Sequence, residues 1–261
     1  MEIAILLALA ALPVIIILTI VYTRDKNKEP MALLIKLFFA GFLSCVLVLV
    51  ISGILELFLP FMSGSLANKT FIETLLYAFF GVALVEEFSK WLMTYLVGYN
   101  NKEFDELYDG IVYAIFVSLG FAFIENILYV IQTSSINTAL LRAVSAVPSH
   151  ACDAIFMGYY LSMAKQYALK GYKEKEKKNV LLSIFVPAVL HGIYDFCLMS
   201  GYMILVGVFL VFVVILYILS IQKLKHLAKN NKKIIYKNKF CKVCGKAVTG
   251  EFCSRCGTRQ V

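Results

Sequence analysis

Seven apolar runs, each long enough to cross a lipid bilayer, dominate this chain: 2–22, 31–59, 71–97, 107–132, 138–164, 179–199 and 202–221. About 20 apolar residues suffice for one crossing helix. Inside lipid a segment must satisfy its own backbone, which a helix does. The expected fold is therefore an all-α polytopic membrane protein with about seven transmembrane helices. Composition agrees, with 16% charged residues and a mean hydropathy of +0.80, where soluble domains average about 25% charged. The second run is long enough to tilt, or to end in a surface turn near Pro60. The first has no basic leader and no small-residue cleavage site, so it is expected to remain as a span.

Lysine and arginine placement sets the orientation. Arg24, Lys26 and Lys28 follow the first run, Lys165, Lys170, Lys173, Lys175, Lys177 and Lys178 follow the fifth, and a basic stretch from Lys223 to Lys239 follows the seventh. The alternate loops hold only Lys69. Seven spans with the N-terminus outside and the C-terminus in the cytoplasm satisfy this pattern. The net charge of +8 is then a topology signal and a lipid-facing tail, and no nucleic-acid partner is expected.

Composition breaks near residue 222. A membrane domain over 1–221 gives way to a basic linker over 222–239 and a cysteine module over 240–261. Cys241, Cys244, Cys253 and Cys256 form two C-x-x-C pairs, with Gly245 and Gly257 directly after each second cysteine. Four thiolates suit tetrahedral zinc in a closed structural site, and a reducing cytoplasm disfavours disulfides. So short a segment has no core of its own, so the metal is expected to supply its folding energy. The module resembles a minimal zinc ribbon. Its expected role is interaction or regulation with a cytoplasmic partner that the sequence does not name. Cys45, Cys152 and Cys197 sit alone in spans and read as small buried hydrophobes.

Charge inside the spans is the second constraint. The third run carries Glu86, Glu87 and Lys90, and each charge at bilayer depth costs about 2.5–3.5 kcal/mol on insertion scales. On a helix Lys90 reaches either carboxylate, at i,i+4 and i,i+3. One ammonium cannot neutralise two carboxylates, which leaves one with the altered proton affinity of a general acid or base. The side chains of Glu86 and Glu87 diverge by about 100° on a helix. One is therefore expected to face pocket water while the other meets Lys90 or a histidine.

Further polar residues break the later runs: Glu125 and Asn126 in the fourth, His150 and Asp153 in the fifth, His191 and Asp195 in the sixth. The span boundaries place Glu86, His150 and His191 near mid-membrane, with Glu125 and Asp195 toward the outer side. Pro148 and Pro187 precede the two histidines, and proline beside a polar residue marks buried or water-lined backbone. Gly110, Gly120, Gly158 and Gly192 would allow close helix approach. Asp153 is expected to be a packing partner or a group at the site's edge. Asp109 and Arg142, near span ends, are expected to meet headgroups or each other's loops, and Glu56 and Glu73 to be interfacial. Ser149 points about 100° away from His150, which disfavours a serine–histidine dyad.

Two glutamates, two histidines and an aspartate around one water-accessible pocket suit hydrolysis. A carboxylate of the Glu86/Glu87 pair would activate water. The histidines would stabilise the oxyanion if protonated, or hold a metal if neutral, with Asp195 orienting His191. A set of His150, His191 and Glu87 would make a catalytic zinc site with an open position, and metal-free general-base hydrolysis uses the same residues. An ion-coupled transporter, for which proton relays need similar groups, and a sensor built around the cysteine module are the readings from other classes.

The ordered combination Glu-Glu-x-x-Lys (Glu86, Glu87, Lys90), Phe-x-x-x-Glu-Asn (Phe121, Glu125, Asn126), a lone histidine (His150) and His-x-x-x-Asp (His191, Asp195) resembles the PrsW family of intramembrane proteases, over about 71–199. That family is distantly similar to the CAAX prenyl proteases. The resemblance implies a membrane-embedded peptidase making the first, outer-side cut in a single-pass substrate such as an anti-sigma factor, releasing a sigma factor in envelope stress. It also implies a catalytic set of Glu86, Glu87, Lys90, Glu125, His150, His191 and Asp195. The appended cysteine module departs from shorter relatives.

Overall fold

The computed structural model describes residues 2–62, 66–229, 231–234, 239–241, 243–244, 247–248, 252–253 and 255–259. Nine α-helices follow in order among the described residues: α1 (Glu2–Arg24), α2 (Met31–Glu56), α3 (Phe71–Leu76), α4 (Leu84–Thr94), α5 (Asp109–Thr133), α6 (Ile136–Val144), α7 (Ala146–Leu169), α8 (Lys173–Met199) and α9 (Met203–Lys229). Stretches of α1, α2, α5, α8 and α9 are individually long and apolar enough to cross a membrane.

The two remaining spans are helical but interrupted. In the third, π-helical segments at Tyr77–Ala83 and Tyr95–Tyr99 join α3 and α4 into one rod from Phe71 to Tyr99. Such segments shift the side-chain phase of a helix and recur at functional sites. Here they bracket the Glu-Glu-x-x-Lys turn. Thr70 and Glu73 close the start of the rod with a reciprocal capping box.

The fifth span divides at Ser145 into α6 and α7. Pro148 explains the break. It has no N–H to give the Val144 carbonyl, and its ring crowds that carbonyl. The hydroxyl of Tyr217, from α9, supplies the missing donor at 3.0 Å from Val144 O. His150 consequently lies in the second turn of α7 and not at mid-span, which corrects the depth expected from an unbroken helix.

α5 is the central helix, packed against α1, α2 and α7, while α8 joins α7 to the third rod and α9 covers α7 and α8 from outside. Between helices the glycines do what the sequence suggests. A Cβ on Gly110 or Gly158 would collide with the other's carbonyl oxygen, and Gly41 and Gly120 hold α2 and α5 together in the same manner. Large apolar side chains such as Leu49, Phe58, Ile204 and Leu210 point outward, as lipid requires.

The basic linker begins as helix. α9 runs on to Lys229. Beyond it, 231–234 lies along the α4–α5 connection through Leu107 N to Lys232 O (3.1 Å), Ile234 N to Asp105 O (2.6 Å) and Tyr108 N to Asn231 Oδ1 (3.1 Å). In the cysteine module Lys239–Phe240 pairs antiparallel with Ala247–Val248. Gly245 lies outside the described residues, and Gly257 takes the positive φ of 71° that a glycine permits.

Candidate active site

Glu86, Glu87 and Lys90 all project from α4 into the bundle and are buried. The Lys90 ammonium has three protons and three partners: Glu87 Oε1 at 2.8 Å, Glu86 Oε2 at 3.1 Å and His150 Nδ1 at 3.2 Å. Its charge also sits 4.1 Å from the centre of the Phe121 ring. With all three protons donated, His150 Nδ1 is an acceptor, so its proton is on Nε2. That nitrogen donates to Glu125 Oε2 at 2.9 Å. The helix break at Ser145 and the Ser118 hydroxyl, 2.9 Å from the His150 carbonyl, fix where this ring stands.

His191, on α8, faces carboxylates with both ring nitrogens. Nδ1 lies 2.9 Å from Glu87 Oε1, and Nε2 lies 3.4 Å from Asp195 Oδ2 and 3.9 Å from Glu86 Oε2. The two imidazole centroids are 5.3 Å apart. All seven residues expected at the site thus form one connected network drawn from four elements, α4, α5, α7 and α8.

A cavity of about 470 Å³ opens beside this network, lined by Glu86, Glu125, His150, His191 and Asp195. Leu66, Thr138, Leu141, Leu198 and Met199 also line it, so it opens at the end of the bundle away from the basic loops. Glu87 and Lys90 do not line it. Of the two glutamates Glu86 lines the cavity, and Glu87 lies beneath it, held by Lys90 and His191. Ser149 lines the cavity, but its hydroxyl makes no hydrogen bond, so no serine–histidine dyad forms.

Two expectations are corrected. Arg142 does not reach headgroups. Its Nη2 lies 2.9 Å from Glu125 Oε2 as an ion pair off hydrogen-bond alignment, Nε donates to Asn126 Oδ1 at 2.7 Å, and the guanidinium lies over Tyr129. In an unbroken fifth span Arg142 would stand two turns from His150, and the break folds it back. Asp109 meets neither headgroup nor Arg142: it is buried and accepts from the amides of Asp105 and Glu106. Asp153, expected as a packing partner or a group at the site's edge, lines the cavity beside the histidines. Its spacing of three residues from His150 carried that signal, since i and i+3 share a helix face.

Two donor sets converge. One atom each from Glu87, His150, Asp153 and His191 lie within 4.8 Å of one another, as do the four module thiols. None of the cysteines is in a disulfide. In the module the Arg255 amide on Cys253 Sγ (3.4 Å) helps hold that thiol below its usual range, which favours the metal-binding thiolate.

Comparison with known proteins decides the family. The profile described as "PrsW family intramembrane metalloprotease" matches residues 29–220. The chain belongs to the PrsW family of intramembrane proteases. The Protease PrsW of Oceanobacillus iheyensis is 44% identical over 220 residues, covering 84% of this chain and 94% of that protein. That of Clostridioides difficile is 34% identical over 237 residues, 89% and 95% of the two chains. That of Bacillus subtilis is 35% identical over 187 residues, 71% and 79%. No solved structure matches. As a PrsW relative the protein is a multi-pass membrane peptidase, and neither a transporter nor a sensor is favoured. The match stops short of the cysteine module.

Proposed function

We propose that this protein is a glutamate-dependent intramembrane endopeptidase that makes an outer-side cut in a single-pass membrane protein of the anti-sigma class, starting the proteolysis that releases a sigma factor. The observation that carries the reading is the position of Glu86. It is the α4 carboxylate that lines the cavity, while Glu87 is spent on Lys90 and His191. Glu86 takes a proton from water, the hydroxide attacks the scissile carbonyl, and the proton passes to the leaving amine. His191, with a carboxylate on each side, presents positive charge to the developing oxyanion. Glu125 holds the His150 ring, and Arg142 holds Glu125.

The residues also fit a divalent metal. Glu87 Oε2 is buried without a partner, and two imidazoles with a carboxylate are the donors catalytic zinc uses. Glu87, His150 and His191 would hold it, with both rings neutral and the His150 Nδ1 lone pair given to the metal in place of the Lys90 ammonium. Bound there, the metal supplies Lewis-acid polarisation of a carbonyl and a more acidic water.

Lipids and the single-pass substrate are the partners this reading requires. Residues 1–221 form the peptidase domain, with its core at 71–199, and 222–239 link it to a zinc ribbon at 240–261 whose four thiolates hold structural zinc. The ribbon engages a cytoplasmic partner.

The test is co-expression of a single-pass anti-sigma-like substrate with the wild type and with Glu86→Ala, Glu87→Ala and His191→Ala. The wild type yields a shortened substrate and the variants do not, while each still inserts in the membrane. Unchanged cleavage by all three variants overturns the assignment.

A further inference from the structure

Asp153 stands one turn beyond His150 on α7 and is 1% exposed. Its Oδ1 has no hydrogen-bond partner. A buried carboxylate serving only to pack helices would be hydrogen-bonded, as nearly all buried polar groups are. Nor can the neighbouring cations serve it. Lys90 has given its three protons to Glu86, Glu87 and His150, and Arg142 is turned to Glu125 and Asn126. Five carboxylates (Glu86, Glu87, Glu125, Asp153 and Asp195) share these two permanently charged cations. Asp153 is in contact with neither, and one of its oxygens approaches donor atoms of Glu87, His150 and His191 within 4.8 Å.

We propose that Asp153 is the fourth protein donor to a divalent cation of the zinc class, held jointly with Glu87, His150 and His191. The inference rests on the metal reading of the site given above, in which both rings are neutral and the cation takes the His150 lone pair that Lys90 otherwise holds. It adds a ligand outside the Glu-Glu-x-x-Lys, Phe-x-x-x-Glu and His-x-x-x-Asp patterns and explains the orphaned oxygens of Asp153 and Glu87 together. The arrangement, two imidazoles and two carboxylates, is a hard to borderline donor set that zinc or cobalt accepts.

The test is metal content and metal environment of the full-length purified protein, with Asp153→Asn beside the wild type. X-ray absorption at the zinc edge separates ribbon zinc, with sulfur at about 2.3 Å, from membrane-site zinc, with nitrogen and oxygen at about 2.0–2.1 Å. The wild type shows both environments. Asp153→Asn keeps the sulfur shell and loses the nitrogen–oxygen shell, and its apparent affinity for added cobalt falls at least about tenfold, the low end of what even an outer-shell partner costs. Asp153→Ser gives the same reading should the asparagine variant prove unstable. A nitrogen–oxygen shell retained in both variants overturns the role of Asp153 and leaves the metal reading intact. A wild type with sulfur-bound zinc alone overturns both, without touching the cleavage test for Glu86.

Discussion

The Lys90 ammonium lies 2.8 Å from Glu87 Oε1, and neither side chain reaches solvent. A buried pair of this kind adds little net stability against an apolar pair, but removing one partner strands a charge. Around it, Lys90 also ties Glu86 and His150 into the same knot, so it is the hub through which α4 and α7 are held in register.

Lys90→Met is therefore expected to cost about 3–5 kcal/mol, read as a large fall in melting temperature in detergent. Adding Glu87→Gln to it removes the stranded carboxylate and restores part of that loss. A single variant that melts like the wild type would show that the knot is not structural.

Glu86→Gln and Glu87→Gln are expected to part company. Glu86→Gln lowers cleavage by about 10²–10⁴, the range general-base catalysis contributes, with a small melting shift. Glu87→Gln lowers melting as well, because it removes the carboxylate beneath both Lys90 and His191. Parallel melting curves and cleavage rates distinguish the two.

The chemistry was legible in the sequence because charge inside an apolar span is costly and therefore conspicuous. Glu86, Glu87, Lys90, Glu125, His150, His191 and Asp195 all stood out on that ground, and all meet. Depth and neighbourhood were less legible, because they depend on helix continuity. Apolar runs do not reveal the break at Ser145, and with the fifth span read as one helix Arg142 fell outside the site. Pro148 is the available clue, but in the sequence it marks buried or water-lined backbone and not a helix stop. Asp153 stands out on the same ground, but the sequence does not show whether a carboxylate finds a partner.

Gly158→Leu should force α5 and α7 apart, costing about 1–3 kcal/mol as overpacking, and should weaken the Glu125–His150 contact between those helices. Gly53→Ala is the control. Nothing lies within 4 Å of its added carbon, and alanine favours a helix by about 0.5–1 kcal/mol, so melting should hold or rise. Equal losses in both variants would contradict the packing assigned here.

Outside the membrane, burial is the main force that pushes the Glu29 carboxyl from 4.5 up to about 7, aided by Asp25, Glu103 and Asp105 and opposed by the hydrogen bond from the Tyr113 hydroxyl. Between those values the folded protein holds the proton more tightly than the unfolded chain. Stability therefore falls as pH rises from 4.5 to 7, by at most about 3 kcal/mol. Glu29→Gln should flatten this part of the melting-temperature profile; a profile identical to the wild type would contradict it.

The most direct measurement is cleavage of a single-pass substrate by the purified full-length protein in proteoliposomes, with Glu86→Gln in parallel and the new terminus mapped by mass spectrometry. One cut is expected in the outer third of the substrate's span, made by the wild type and absent from a variant that still melts cooperatively. Undiminished cleavage by Glu86→Gln would contradict it.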